Sequence, residues 1–239
     1  MNAPQPVDKS TGAVAAMFNS IAPRYDVLNH LLSLGIDRFW RRRLVRRLAV
    51  AAPSRVLDVA TGTADLAIAL ARRVPQTVVV GIDIACQMLR VGEQKVEQAG
   101  LSSRITLQQA SVLELPFPSC HFDAAMVAFG ARNFEHLEQG MAEMARTVRT
   151  GGRVLVLEFS MPQHWPIRPL YSFYCGRILP AVGGLVSGRR QAYDYLPSSV
   201  AQFPQGDEFM DMMRQAGLTQ CSATPLTMGV ATLYEGRRG

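Results

Sequence analysis

One stretch narrows the fold more than any other: Arg55-Val56-Leu57-Asp58-Val59-Ala60-Thr61-Gly62-Thr63-Ala64-Asp65, followed by Thr77-Val78-Val79-Val80-Gly81-Ile82-Asp83. A short apolar run carries an acid, passes through a turn of small residues into a helix-compatible segment, and leads to a second apolar run that ends in another acid. That order predicts the first β-α-β unit of a nucleoside-binding sheet. The turn has to bring backbone close to a ligand, so its residues are small, and the amides at the start of the next helix favour a negatively charged group. Asp83, 21 positions after Gly62, sits where a strand-end carboxylate can accept both hydroxyls of a ribose.

Two cofactor classes use this geometry. A dinucleotide turn wants G-x-G-x-x-G for its pyrophosphate, whereas this chain has one glycine, Gly62, with Ala60 and Ala64 nearby, so NAD is disfavoured. An S-adenosylmethionine site has no phosphate to cradle. It must hold the ammonium and carboxylate of an amino acid beside the turn, work suited to Asp58 and to the hydroxyl and amide of Thr63. The plainer alternative is a βαβ unit whose acids only cap or solvate strand ends.

At 239 residues, 48% of them hydrophobic, the chain fits one large α/β domain with a single core. Its apolar runs are strand-length, well short of the roughly 20 residues that span a bilayer. Met1 to Lys9 lacks the apolar core of a signal peptide, and the expectation is a soluble or peripheral protein of the cytoplasm. The widely spaced Cys86, Cys120, Cys175 and Cys221 show no C-x-x-C pair, and only four histidines accompany them, so neither a disulfide framework nor a metal site is indicated. Net charge is +6, and six arginines (38, 41, 42, 43, 46 and 47) fall within ten residues. On a helix Arg38, Arg42 and Arg46 share a face beside Phe39, Trp40, Leu44, Val45 and Leu48, a pattern suited to an anionic lipid surface or to an ordinary solvated helix face.

Helical pattern runs from about Ala13 to Ala51, broken near Pro23 and Gly35, and ends at Pro53 and Ser54. Strands are expected at Arg55 to Ala60, Thr77 to Asp83, Ile105 to Gln109, Phe122 to Ala128 and Gly152 to Phe159. Helices around Leu66 to Arg73, Cys86 to Gln98 and Leu137 to Arg149 separate most of them, with Thr150-Gly151-Gly152 as the turn into the fifth strand. From Met161 to Pro204 the chain is rich in proline and aromatic residues without sustained period, which predicts an insertion over the carboxyl ends of the sheet. A helix from Gly206 to Ala216 and a hairpin, Gln220 to Thr227 and Val230 to Tyr234, complete the chain. The whole is expected as one domain, residues 1–239, with a flexible tail (1–12), an N-terminal helical cap (13–52) and a lid-like insertion (161–204).

Met17-Phe18-Asn19-Ser20-Ile21-Ala22-Pro23-Arg24-Tyr25-Asp26, with Leu28-Asn29 and Leu32-Ser33-Leu34-Gly35-Ile36-Asp37 leading to Trp40-Arg41, resembles the opening signature of the ubiquinone and menaquinone biosynthesis C-methyltransferases. The resemblance continues in order through Asp58 to Asp65, Phe129-Gly130-Ala131-Arg132-Asn133-Phe134, Leu157-Glu158-Phe159-Ser160, and Ala192-Tyr193-Asp194-Tyr195-Leu196-Pro197-Ser198-Ser199-Val200 with Phe203-Pro204. It implies a class I S-adenosylmethionine-dependent methyltransferase: a mostly parallel, seven-stranded Rossmann-like sheet with helices on both faces and an antiparallel edge strand. The reaction implied is methyl transfer to a ring carbon of a polyprenylated quinol, leaving S-adenosylhomocysteine. Gly62-Thr63-Ala64-Asp65 and Phe203-Pro204-Gln205-Gly206 are nearer the menaquinone branch, whose substrate is a demethylmenaquinol; a 2-methoxy-6-polyprenyl-1,4-benzoquinol of the ubiquinone branch is the alternative.

The resemblance implies Thr63 at the methionine end of the cofactor, Asp83 on the ribose, and Ser111 and Val112 beside the adenine; Asp58, Gly62 and Tyr25 complete the expected cofactor set. Ser111 stands where Asp or Asn is usual, and Ala128 where some relatives carry Ser. Weaker adenine contact by about one hydrogen bond, roughly 0.5–1.5 kcal/mol, is expected.

A quinol carbon becomes nucleophilic once its hydroxyl, a phenol near pKa 10, is polarised or deprotonated, and no metal is necessary. Arg132 and Asn133, following the fourth strand, are the expected catalytic residues: Arg132 can stabilise a developing quinolate or order a water that takes its proton. The alternative for Arg132 is an ion pair with Glu158. Tyr193 and Tyr195 are expected at the substrate ring, a prenylated substrate implies an encounter at an anionic membrane, and a homodimer stays open. A nucleic-acid methyltransferase has only the basic charge in its favour, and the fourth strand lacks the Asn-Pro-Pro-Tyr-like turn of base-amine methylation.

Overall fold

The computed structural model describes residues 8–163, 165–174, 177 and 191–239, apart from the side chains of residues 28, 31, 32, 172 and 191–194. Seven strands form one sheet: β1 (Arg55–Val59), β2 (Val78–Asp83), β3 (Ile105–Gln109), β4 (Phe122–Ala128), β5 (Val148–Phe159), β6 (Leu218–Leu226) and β7 (Ala231–Arg238), in the order β3-β2-β1-β4-β5-β7-β6. β1 pairs in parallel with both β2 and β4. The chain leaves β1 toward β2 and β3, then returns to build the other half from β4, so a crevice opens at the carboxyl ends of β1 and β4.

Alternation along β1 explains why this sheet is buried on both faces. Val56 packs on one side with α3 (Ile36–Ala49) and α4 (Asp65–Arg73); Leu57 and Val59 pack on the other with α6 (Leu137–Thr147) and α9 (Asp207–Gln215). Parallel strands covered in this way read as near-continuous apolar runs, as seen at Val78 to Ile82 and Ala124 to Val127. On the first face Trp40, Leu44, Val45 and Leu48 lie at helical spacing along α3, and all are buried. Each contributes about 1.5–3 kcal/mol by leaving water. The arginine-rich helix therefore turns its apolar side into the core. Of the apolar residues expected to flank an outer face, only Phe39 is exposed, beneath Arg43 at 5.2 Å.

Several boundaries differ from expectation. Residues 148–152 belong to β5: Val148 pairs with Phe122, and the register slips before Arg153 pairs with Ala124. Gly151, at φ +75°, makes the bulge. At the other end, α1 (Thr11–Ile21) begins inside the expected tail because the Thr11 amide and hydroxyl both donate to Glu135, at 2.8 and 2.7 Å. The C-terminal hairpin is present with longer strands than expected, because pairing continues out to Leu218 and Arg238, and its reversed strand is β7, one position in from edge strand β6. The N-terminal helices α1, α2 (Tyr25–Leu32) and α3 follow the expected breaks, with a 3-10 turn at Ala22–Arg24. Within 161–204 lie α7 (Ile167–Phe173) and α8 (Gln191–Ala201). Cys86, Cys120 and Cys221 are free thiols, and Cys175 lies outside the described residues.

A Cβ on Gly152 would stand 2.6 Å from the Asp123 carbonyl and 2.8 Å from that of Arg149, backbone atoms that cannot step aside. Gly152→Ala is expected to lower stability by about 1–3 kcal/mol in urea unfolding, and an unchanged midpoint would contradict this bulge.

Candidate active site

After β1 the chain turns through Ala60, Gly62 and Ala64, all left-handed at φ +50°, +56° and +65°. Two alanines in that region store strain of order 1 kcal/mol each, a cost borne at a functional turn. The turn is held from below by the Thr61 amide on the Ile82 carbonyl, 2.9 Å, and by the Gly62 amide on Asp83 Oδ2, 2.9 Å. Apart from its chain neighbours, no atom of the described residues lies within 4 Å of where a Gly62 Cβ would stand, so the turn faces open space.

Asp83 ends β2 with both oxygens engaged, Oδ1 taking the Ala85 amide at 2.8 Å. Each carboxylate oxygen retains acceptor capacity for a hydroxyl. Burial raises its pKa, against the opposing pull of these amides. Asp83 floors a cavity of about 70 Å³ whose walls include Ile84, Met88, Val112 and Phe134. Ser111 lines it too, but its hydroxyl accepts the Leu113 amide at 3.2 Å. The short side chain is thus occupied by its own turn. Val112 is buried at the cavity wall.

Asp58, one residue before the end of β1, is buried, and its Oδ2 accepts the Thr61 hydroxyl at 2.7 Å. Burial raises its pKa to about 7, with the Thr61 bond and the Arg41 charge pulling the other way. Asp58, Arg41, Gly62, Thr63 and Asp65 surround a small polar recess of about 30 Å³. Thr63 is also buried, and its hydroxyl donates to Asp26 Oδ1 at 2.6 Å rather than facing the recess alone. Lys95 reaches from α5 (Cys86–Gln98) to Asp26 at 2.6 Å and Asp65 at 2.5 Å, clamping α2 to the turn. Tyr25 borders the nucleoside cavity, the polar recess and a third, larger space at once; burial raises its pKa.

That third space is a cavity of about 540 Å³ between the N-terminal helices, the ends of β4 and β5, α7 and the hairpin tip. Its walls are mainly apolar, among them Ile21, Trp40, Phe159, Leu170 and Met228. Phe18, Tyr25 and Phe129 belong to its wall and to that of the nucleoside cavity, so the two adjoin. Arg132 stands at the inner end in a 3-10 turn, Ala131–Asn133. Its Nη1 binds Glu158 Oε1 at 2.7 Å and also donates to the Phe129 carbonyl. The ion pair weighed from the sequence is therefore present. Arg132 Nε is buried without a partner among the described residues. Glu158, fully buried, additionally accepts the amides of Arg132 and Phe159. Asn133 Oδ1 accepts the Tyr195 hydroxyl at 2.9 Å, drawing α8 to the cavity. Burial raises the Tyr195 pKa. Tyr193 lies in the same helix, with its side chain outside the described residues.

A family model for the ubiE/COQ5 methyltransferase family matches residues 6–238. The chain belongs to this family. It is 45% identical to a demethylmenaquinone methyltransferase of Porphyromonas gingivalis over 93% of this chain and 91% of that protein. It is 47% identical to a ubiquinone/menaquinone biosynthesis C-methyltransferase UbiE of Geobacter sp. strain M21, over 94% of this chain and 96% of the relative. Among solved structures it resembles the apo S-adenosylmethionine-dependent methyltransferase SibL, with a TM-score of 0.61 and 22% identity over 86% of this chain and 56% of that one. It also resembles the [4+2]-cyclase SpnF, with a TM-score of 0.64 and 17% identity over 99% of both chains. At those identities the likeness establishes the fold, that of class I methyltransferases. The ubiE/COQ5 member described here is an S-adenosylmethionine-dependent methyltransferase, and its residues fit that cofactor: open space over Gly62, a strand-end carboxylate beneath it, and a polar recess alongside.

The structure places the turn, Asp83, Val112, Arg132 and Asn133 along the two adjoining cavities, where sequence reasoning expected a site. That reasoning missed the Asp26–Lys95–Asp65 clamp, since three residues from three helices share no local pattern. It also left Arg41 among its neighbours. Helical spacing would have singled Arg41 out, because it alone of the six lies on the face of Asp37, Leu44, Val45 and Leu48.

An ammonium brought beside Asp58 favours the ionised carboxylate, which the free site reaches only above about pH 7. Calorimetry with S-adenosylhomocysteine is expected to show Kd falling as pH rises from about 6 to about 7.5, and Asp58→Asn to flatten that slope. A slope the substitution leaves intact would remove Asp58 from the ammonium site.

Proposed function

We propose that this chain transfers the methyl group of S-adenosylmethionine to the ring carbon of demethylmenaquinol, the last step of menaquinone biosynthesis. One observation carries this: a large apolar cavity shares Phe18, Tyr25 and Phe129 with the nucleoside cavity. A volume of about 540 Å³ falls within the range of ligand pockets and suits a fused aromatic ring with the first part of a prenyl tail. The benzoquinol of the ubiquinone route is the second reading, supported by relatives whose name covers both routes. Turnover with the two demethylated quinols side by side separates them.

S-adenosylmethionine supplies an electrophilic methyl group on a sulfonium; the rest falls to the chain. Asp83 holds the ribose, Asp58 and the Thr63 amide hold the methionine end, and Ser111 and Val112 border the adenine. Arg132 meets the substrate hydroxyl with the edge of its guanidinium that Glu158 does not occupy. Its charge favours a quinolate over a phenol, and it orders a water that accepts the hydroxyl proton; once the ring carbon carries the methyl group its hydrogen leaves as a proton and the oxygen regains one, which restores the quinol, and no metal takes part. Glu158, fixed by three donors, orients Arg132. Asn133 fixes Tyr195, and Tyr195 borders the ring. The helices α7 and α8 and the N-terminal helices act as the lid that excludes water.

Removing Arg132 alone strands a buried carboxylate at a penalty of about 3–5 kcal/mol. Arg132→Met is therefore made together with Glu158→Gln. The pair is expected to lower kcat by about 10²-fold or more while S-adenosylhomocysteine affinity stays within about threefold. Undiminished turnover would end the assignment of Arg132.

A prenylated quinol has to be met at lipid, so the protein is proposed to work in the cytoplasm, peripherally at the inner face of a membrane. No described helix is long and apolar enough to cross one. Leu34, Phe39, Leu170, Phe173 and Met228 are exposed, four of them lining the large cavity, and Arg38, Arg42 and Arg46 are exposed along α3. Co-sedimentation with vesicles is expected to rise with anionic lipid and to fall in high salt. Indifference to lipid charge would remove the arginine face from this role.

A further inference from the structure

We infer that Arg41 receives the carboxylate of the cofactor's methionine end and so selects cofactors that carry an intact amino acid. The inference rests on the S-adenosylmethionine reading of the site and adds a residue and a specificity to it. Arg41 is buried in α3, whereas Arg38, Arg42, Arg43, Arg46 and Arg47 are all exposed. A guanidinium withdrawn from water needs charged or polar partners. Its Nη1 pairs with Asp37, and its other N–H groups make no hydrogen bond to the described residues. An arginine has five donors in a rigid fork, suited to a bidentate carboxylate.

The fork is held in place. Asp37 is itself fixed by the Ser33 hydroxyl at 2.7 Å and by His30 Nδ1 at 3.0 Å. On the other side the guanidinium carbon lies 5.3 Å from the centre of the Phe129 ring. Arg41 thereby faces Asp58 across the small recess beside Gly62 and Thr63. Asp65 is taken by Lys95, so the wall leaves one cation, Arg41, and one anion, Asp58, to complement the two charges of a zwitterion. Lys95, the other nearby cation, is not part of the recess wall and is already bound by Asp26 and Asp65. The Thr63 hydroxyl donates to Asp26, so it has no proton left for a carboxylate. Arg41 is the remaining charged donor.

The test compares S-adenosylmethionine with its decarboxylated form by calorimetry on the full chain. Asp58 and Asp65 in the wall would by themselves prefer the more cationic, decarboxylated molecule, so a preference for the intact amino acid has to come from a cation. Wild type is expected to favour S-adenosylmethionine by about 10- to 100-fold, and Arg41→Met to bring the ratio near one or invert it. Arg41→Lys, which keeps the charge and loses the fork, is expected in between, and thermal melts establish that each variant is folded. No preference in wild type, or an unaltered ratio in a folded variant of either kind, would overturn the inference. Wild type that bound neither compound would instead overturn the reading of the site as a whole.

Discussion

The hydrogen bond from the Gly62 amide to Asp83 joins the end of one strand to the turn after its neighbour, and everything that binds or reacts here is placed relative to it. Parallel pairing of β1 with β2 brings the two strand ends level, Val59 opposite Ile82. The turn must then leave the sheet at once without lifting away from it. Left-handed backbone at positions 60, 62 and 64 achieves this, and the strain in two alanines is offset by the bonds to Ile82 and Asp83. The same amide bond aims the carboxylate and keeps the turn low, so the space above Gly62 is a product of both.

Polar contacts hold the N-terminal helices over that end of the sheet. Asp26 and Lys95 clamp α2 to the turn, Thr11 ties α1 to Glu135, and the Trp40 indole donates to the Thr227 hydroxyl at the hairpin tip, 2.8 Å. Apolar packing of α3 supplies most of the stabilisation. The polar contacts are directional and decide which side chains face inward. Arg41 is held by Asp37, and the wall between the two adjoining cavities is composed of Phe18, Tyr25 and Phe129 from the cap and the end of β4.

Much of the fold was legible because both periodicities were strong. The breaks at Pro23 and Gly35, the strand runs and the C-terminal hairpin lie where the chain itself marks them. The start of β5 was not legible, since a bulge at Gly151 reads locally like a turn; only Phe122, from a distant strand, makes Val148 part of a sheet. The same distinction separates Asp83 from Lys95. Asp83 is determined by its distance from Gly62 along two adjacent strands. Lys95 acquires its role only when α2, α4 and α5 converge. Ser111 was recognisable as a departure, but its engagement with the Leu113 amide belongs to local backbone geometry.

By itself the sequence determined that an open turn follows the first strand and a carboxylate ends the second, since a small-residue turn between two acid-bearing apolar runs is a local pattern dictated by backbone sterics. It determined too that an arginine and an asparagine follow the fourth strand. Only the tertiary structure decided that Arg132 is half-committed to Glu158 while Arg41 is turned inward among outward-facing arginines, and that an apolar cavity adjoins the nucleoside site. Hydrogen bonds and ion pairs act over a few ångströms between residues far apart in the chain. Which charge is countered and which is left to meet a ligand is therefore a property of how the helices close over the sheet, not of the order of the residues.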